Sequence, residues 1–264
     1  MINRPNKVLV IEDSQSLNDL ISQSISSQLG IEVDSAKSLQ DAIRLITPNN
    51  NVYFVAIVDL NLPDAQNGEA VDAIISLGIR PIILTASLSD NTHDEMLEKP
   101  ILDYVIKRNL NEIQYVIDVV KRLHENFDRR VLIVDDSRTS LALIKSLLER
   151  HYLTVDTASN GIEALELLSK NSGYCLIITD FNMPEMNGAE LTTKIRNDYS
   201  RNELAIIGIS SYGAGPISVQ LLKSGANDFI YRPFLHEEFY CRVNQNIDSV
   251  QYYKELINDK TLNK

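Results

Sequence analysis

Short apolar runs alternate with stretches of helical spacing along the whole chain. Residues 8–11, 52–58, 81–84 and 104–106 are runs of the kind that a parallel sheet buries on both faces. A weaker strand is expected at 32–35. Between the runs, apolar positions recur every three or four residues. Ser14 stands where a capping residue opens a helix, which carries Leu17, Leu20, Ile21 and Ile25 on one face. Another helix is expected from near Ser38. A last one covers about 111–125, with Ile113, Val116, Ile117 and Val120 at helical spacing. The order then begins again, with strands expected at 131–134, 154–157, 176–179, 205–209 and 228–230.

The second half repeats the first in residues as well as in pattern. Lys7-Val8-Leu9-Val10-Ile11-Glu12-Asp13-Ser14 returns as Arg130-Val131-Leu132-Ile133-Val134-Asp135-Asp136-Ser137. Ala56-Ile57-Val58-Asp59-Leu60-Asn61-Leu62-Pro63 returns as Ile177-Ile178-Thr179-Asp180-Phe181-Asn182-Met183-Pro184. Such a long period is that of two domain copies, not of a solenoid. Each copy reads as five strands and five helices in alternation. Right-handed crossovers between parallel strands then give a doubly wound α/β sheet. The expected division is 1–127, 128–250 and a helical extension over 251–264. The join at 126–130 has no Gly/Ser or Pro-rich spacer, so a restrained pair is expected.

A doubly wound sheet places its site at the carboxyl ends of the strands, beside the switch in strand order. The polar residues fall there. In the first copy, Glu12 and Asp13 follow the first strand, Asp59 ends the third, Thr85 ends the fourth and Lys107 follows the fifth. The second copy has Asp135, Asp136, Asp180, Ser210 and Arg232 in those places. Three converging carboxylates repel one another, so raised pKa values or a bound cation must compensate. An all-oxygen, water-accessible cluster suits Mg²⁺, with other divalent cations as alternatives. An Asp beside such a cation can attack a phosphoryl group. A lysine then neutralises the phosphoryl oxygens, and a Thr or Ser hydroxyl hydrogen-bonds them.

Charge and cysteine content narrow the class. The formal net charge is −11, and the acid is concentrated in the first half. That excludes a basic nucleic-acid groove, and nothing after Asn246 is long enough for a separate helix-turn-helix. Cys175 and Cys241 cannot form a disulfide framework and are expected as small, buried or half-buried residues of a cytoplasmic protein. No apolar stretch approaches a membrane span or a signal peptide. His93, His124, His151 and His236 lie away from the strand ends, so no histidine ligand is expected.

These residues in this order resemble the receiver domain of bacterial two-component response regulators. The resemblance covers about 6–125 and again 129–250. It rests on the acid pair after strand one, an Asp followed four residues later by Pro, a hydroxyl ending strand four and a cation after strand five. The resemblance implies a flavodoxin-like fold and phosphoryl transfer from a sensor histidine kinase or phosphotransfer protein to Asp59, with Asp180 as a degenerate or slower acceptor. It implies metal on Glu12, Asp13, Asp59 and the Asn61 carbonyl, and on Asp135, Asp136, Asp180 and the Asn182 carbonyl. Tyr104 and Phe229 match the family's switch aromatic.

The copies also depart from that pattern. The loop after Asp59, Asp64-Ala65-Gln66-Asn67, is one residue longer than its counterpart. The stretch before Tyr104 carries Pro100 in place of the Gly-Ala-Asn-Asp run before Phe229, so an unusual fourth helix is expected there. Arg108 stands where the family has Pro. The second copy keeps Pro233 but has Arg232 for Lys, and the longer guanidinium is expected to make a two-pronged bond to Asp180. The last helix is expected from near Glu237 to about Asn258, with Val243, Val250 and Ile257 one heptad apart. It resembles the helix that leads into the output domain of receiver-regulated diguanylate cyclases. It is expected to pair with a second copy or to feed an output, and no cyclase site lies in the chain. A regulatory pair is thus the leading reading. A non-cycling scaffold that binds metal and partner proteins is the alternative. An Asp-nucleophile phosphohydrolase is disfavoured, because Asn61 and Asn182 occupy the place of its acid.

Overall fold

The computed structural model describes residues 5–48, 52–86, 95–96, 99–107, 110–171, 173–211 and 216–262. The chain divides into two units, Met1–Glu125 and Asn126–Lys264. The first contains β1 (Lys7–Ile11), α1 (Gln15–Leu29), β2 (Glu32–Ala36), α2 (Leu39–Ile46), β3 (Tyr53–Asp59), α3 (Glu69–Ser76), β4 (Pro81–Thr85), β5 (Asp103–Ile106) and α4 (Leu110–Asn126). The expected helix between β4 and β5 falls largely on residues outside those described, as do Arg108 and His93. The second contains β6 (Arg130–Val134), α5 (Arg138–Arg150), β7 (Thr154–Ala158), α6 (Gly161–Lys170), β8 (Tyr174–Asp180), α7 (Gly188–Ile195), β9 (Ala205–Ser210), α8 (Pro216–Lys223), β10 (Asp228–Tyr231) and α9 (His236–Leu262).

Each unit holds a five-stranded parallel sheet. The order is β2-β1-β3-β4-β5 in the first and, read in the same sense, β7-β6-β8-β9-β10 in the second. The central strands are Val- and Ile-rich because helices cover both of their faces. Val8, Leu9, Val10 and Ile11 are fully buried, as are Val55, Ala56, Ile57 and Val58. Burying each such Val, Leu or Ile contributes about 1.5–3 kcal/mol, which fixes strand position more firmly than any surface contact. β1 lies between β2 and β3, so the chain reverses its direction of travel across the sheet there. β6 does the same between β7 and β8.

Two details of α1 differ from expectation. Ser14 occupies the cap position, but its hydroxyl makes no capping bond and lies 3.3 Å from the Ser16 hydroxyl. Leu20 is exposed, and Asn18 takes the buried place beside Ile21 and Ile25. The Asn18 amide donates to the carbonyls of Glu12 and Ala36, both at 3.0 Å, and so ties α1 to the ends of β1 and β2. Several other helices start with a side-chain cap. The Ser38 hydroxyl accepts from Asp41 N–H to open α2, and Asn187 and Glu190 form a capping box on α7.

α9 runs further than the sequence pattern suggests, from His236 to Leu262. Phe239, Val243, Ile247 and Val250 are buried in the second unit's own core, whereas Tyr252 and Ile257 are exposed. The heptad is therefore divided: Val243 and Val250 pack inward, and the seam facing outward begins after Val250. Cys175 is buried and Cys241 is exposed, not half-buried. Among the described residues no helix is long and apolar enough to cross a membrane.

Candidate functional site

In the first unit, main-chain bonds set each polar residue in place. Glu12 follows β1, and its N–H donates to Ala36 O at 3.1 Å. Asp59 is the last residue of β3, and Ile11 pairs with Val58 directly before it. Thr85 ends β4, and Lys107 N–H donates to Thr85 O at 2.7 Å, which brings the residue after β5 to the same rim. The Lys107 ammonium then bridges two acids, 2.5 Å from Glu12 Oε2 and 2.7 Å from Asp59 Oδ2. Glu12 is 2 % and Asp59 7 % exposed, while Asp13 is open to solvent. Burial pushes the Glu12 carboxyl up, Lys107 pulls it down, and the Asp59 charge adds to the rise. One oxygen from each of Glu12, Asp13 and Asp59 lies within 4.8 Å of the others. The donor set is all oxygen, buried on one side and wet on the other, and it suits Mg²⁺.

The second unit builds the same rim from other side chains. Asp135 N–H donates to Ala158 O at 3.1 Å, and Arg232 N–H donates to Ser210 O at 3.0 Å. The Arg232 fork does not close on Asp180 as expected. One prong, Nη1, meets Asp180 Oδ1 at 3.2 Å, and the other, Nη2, meets Asp135 Oδ2 at 2.8 Å. The cause is geometric: the guanidinium emerges between the two strand ends and reaches both. Asp180 is pushed up to about 6, chiefly by burial and then by the Asp135 charge. Its bond from Asn182 N–H and the Arg232 charge act in the opposite direction. Among the described residues, only Glu12, Asp13 and Asp59 bring three carboxylates within 4.8 Å of one another.

The family model "Response regulator receiver domain" matches residues 8–118 and again 131–244. The chain belongs to the response regulator receiver family. Both units are receivers. The chain is 42% identical over 106 residues to "Chemotaxis protein CheY1" of Helicobacter pylori, covering 40% of this chain and 86% of that protein. It is 41% identical over 106 residues to the "Chemotaxis protein CheY homolog" of Campylobacter jejuni, covering 40% of this chain and 82% of that protein. A structure described as a "putative two-component system response regulator/ggdef domain protein" matches across both receivers. It has a TM-score of 0.82 and 39% identity, and covers 93% of this chain and 99% of that one.

The aromatics before the cations sit differently in the two receivers. Tyr104 pairs with Ile83 across β4 and β5 and packs against the core. Burial raises its phenol, and the neighbouring Thr85 side chain opposes that rise. Tyr104 thus lies close to the hydroxyl at the rim. Phe229 has no such handle. It is buried opposite Gly208, where a Cβ would come within 3.1 Å of its ring, and stacks edge-on with Tyr231 at 4.7 Å.

Several residues shape the rim through contacts that the sequence reading does not assign. In the longer loop of the first receiver, Leu62 and Ala65 pair across a tight turn. That turn aims Asp64 at the start of α2, where it accepts from Leu39 N–H and Gln40 N–H, both at 2.9 Å. These bonds hold its carboxyl below the usual range. In the second receiver the Ser140 hydroxyl lies 2.6 Å from Asp135 Oδ2. Gly188 has the acceptor's backbone against it: a Cβ there would lie 2.4 Å from the Asp180 carbonyl oxygen. Polar residues one turn into the helix after the acid pair were the available signal for Asn18 and Ser140. The longer loop marked Asp64, but nothing local pointed to its partners, which are 24 and 25 residues away.

Proposed function

We propose that the first receiver is a phosphorylation-controlled switch with Asp59 as acceptor. The bridge from Lys107 to Glu12 and Asp59, with Asp13 beside them, carries this reading. Glu12, Asp13, Asp59 and the Asn61 carbonyl would hold Mg²⁺, which supplies charge neutralisation for the phosphoryl oxygens. An Asp59 oxygen attacks phosphorus, the bond from phosphorus to the donor breaks, and the donor leaves with that electron pair. Lys107 already touches the acceptor and balances the charge that arrives. The Thr85 hydroxyl turns to a phosphoryl oxygen, and Tyr104 repacks in response.

The donor is a sensor histidine kinase or a phosphotransfer protein. The second receiver, with Asp180, Ser210 and Arg232, is a slower or degenerate partner. Domain limits of 1–127 and 128–250 suit these roles, with 251–264 leading toward an output. Likeness to proteins described as response regulator/GGDEF proteins favours a diguanylate cyclase as that output. The exposed Tyr252 and Ile257 on α9 favour a second copy as helix partner. The test is incubation with a small-molecule phosphodonor and Mg²⁺, read by intact mass. One phosphoryl group is expected on the wild type at early times, and most of that labelling is lost in Asp59→Asn. Undiminished labelling of Asp59→Asn would remove the assignment.

A further inference from the structure

We infer that Arg232 holds the acidic pocket of the second receiver closed to divalent cations, with Ser140 fixing Asp135 for that bond. The first receiver serves only as the comparison, so the inference stands or falls on the second.

In the first receiver a single nitrogen, Lys107 Nζ, binds one oxygen each of Glu12 and Asp59. Two carboxylates bound to one atom converge, and other oxygens stay lightly held. Glu12 Oε1 meets Ser14 N–H at 3.4 Å, and Asp59 Oδ1 meets Asn61 N–H at 3.2 Å. In the second receiver two different nitrogens of a rigid planar fork bind Asp135 and Asp180, so the acids are held apart. The other oxygens of both acids also have close donors. Asp135 Oδ1 accepts from Ser137 N–H at 2.9 Å, Asp135 Oδ2 from the Ser140 hydroxyl at 2.6 Å, and Asp180 Oδ2 from Asn182 N–H at 2.7 Å. A cation entering here must displace a charge-assisted bridge and a hydroxyl bond at once.

The substitutions also fit one another. Asp135 is one methylene shorter than Glu12, and the longer Arg232 reaches it. Ser140 occupies the place of Leu17, which has no donor. The second pocket thus carries its own cation, and its conformation does not follow the level of Mg²⁺. The residues expected to bind metal there, Asp135, Asp136, Asp180 and the Asn182 carbonyl, do not fit the ion.

The full chain is titrated with Mn²⁺ and free Mn²⁺ is followed by electron paramagnetic resonance. Asp136→Asn should leave the wild-type stoichiometry unchanged. Arg232→Lys and Arg232→Gln should each gain one equivalent, and adding Asp136→Asn should remove it. A wild-type equivalent that is lost in Asp136→Asn overturns the inference, whether or not the Arg232 variants fold. So do folded Arg232 variants that gain nothing. If the wild type binds no Mn²⁺ and Arg232→Lys gains an equivalent, the inference holds and the metal reading of the first receiver fails. If the wild type binds one equivalent that Asp13→Asn removes, both hold.

Discussion

Asp180→Asn should stabilise the second receiver at neutral pH, although it removes the candidate acceptor. Burial and the Asp135 charge lift the Asp180 carboxyl from 3.8 to about 6. A group that binds its proton more tightly folded than unfolded contributes stability below its unfolded value, and loses it as pH rises through its folded value. Asp180 is therefore a liability above about pH 6, and the window of change runs from about pH 4 to 6. The shift of about two units corresponds to an upper bound of about 3 kcal/mol. Water at the rim screens part of this, so about 1–2 kcal/mol is expected. Asn is nearly isosteric, and its carbonyl can still accept from Arg232 or Asn182. The assay is urea unfolding followed by circular dichroism, at pH 7.5 and pH 4.5, with chelator present. The variant should have the higher midpoint at pH 7.5, and most of that advantage should vanish at pH 4.5. Loss of stability at pH 7.5 would show that the Arg232 bond outweighs burial, and would refute the reasoning.

Lys107→Ala should leave Glu12 buried without its main partner. It should cost about 3 kcal/mol without metal, seen as a lower unfolding midpoint of the first receiver, and reduce the conformational response to phosphodonor. Gly188→Ala should push a methyl into the Asp180 carbonyl and lower the second receiver's stability by about 1–3 kcal/mol, measured by urea unfolding. Arg196→Met should cost about 3 kcal/mol by the same measurement, because its guanidinium bonds the carbonyls of Gly225, Tyr199, Ser200 and Leu204 and the Asn227 side chain. In an Asp59→Asn background, Arg232→Lys should raise the rate at which Asp180 takes phosphate, followed by intact mass over time. An unchanged rate would mark the arginine as a neutral replacement.

The rim was legible from sequence because strand ends are read from strand starts. A buried Val/Ile run fixes where β1 and β3 stop, and Glu12, Asp59, Asp135 and Asp180 follow from that. The course of Arg232 was not legible. Its spacing from Ser210 places the guanidinium at the rim, but the choice between one acid and two depends on where both strand ends lie in space. The contact of Asp64 escaped for the same reason, since it acts on an element brought near only by the fold. Ser140, by contrast, lies within a turn of its partner Asp135, and its polar place was a local signal left unread. Ser14 shows the opposite failure, in which a favourable local residue at a cap position makes no cap bond. The split heptad of α9 follows from the second core, which takes Val243, Ile247 and Val250 for itself.

The assignment of Asp59 is tested most directly by locating the acyl phosphate itself. The wild-type chain is treated with a phosphodonor and Mg²⁺ and then with borohydride, which reduces phosphoaspartate to homoserine. Tandem mass spectrometry of the peptides then reads the position. Homoserine is predicted at residue 59, with little at residue 180 at early times. Homoserine first at residue 180, or at neither position while the chain gains phosphate elsewhere, would contradict the assignment of Asp59.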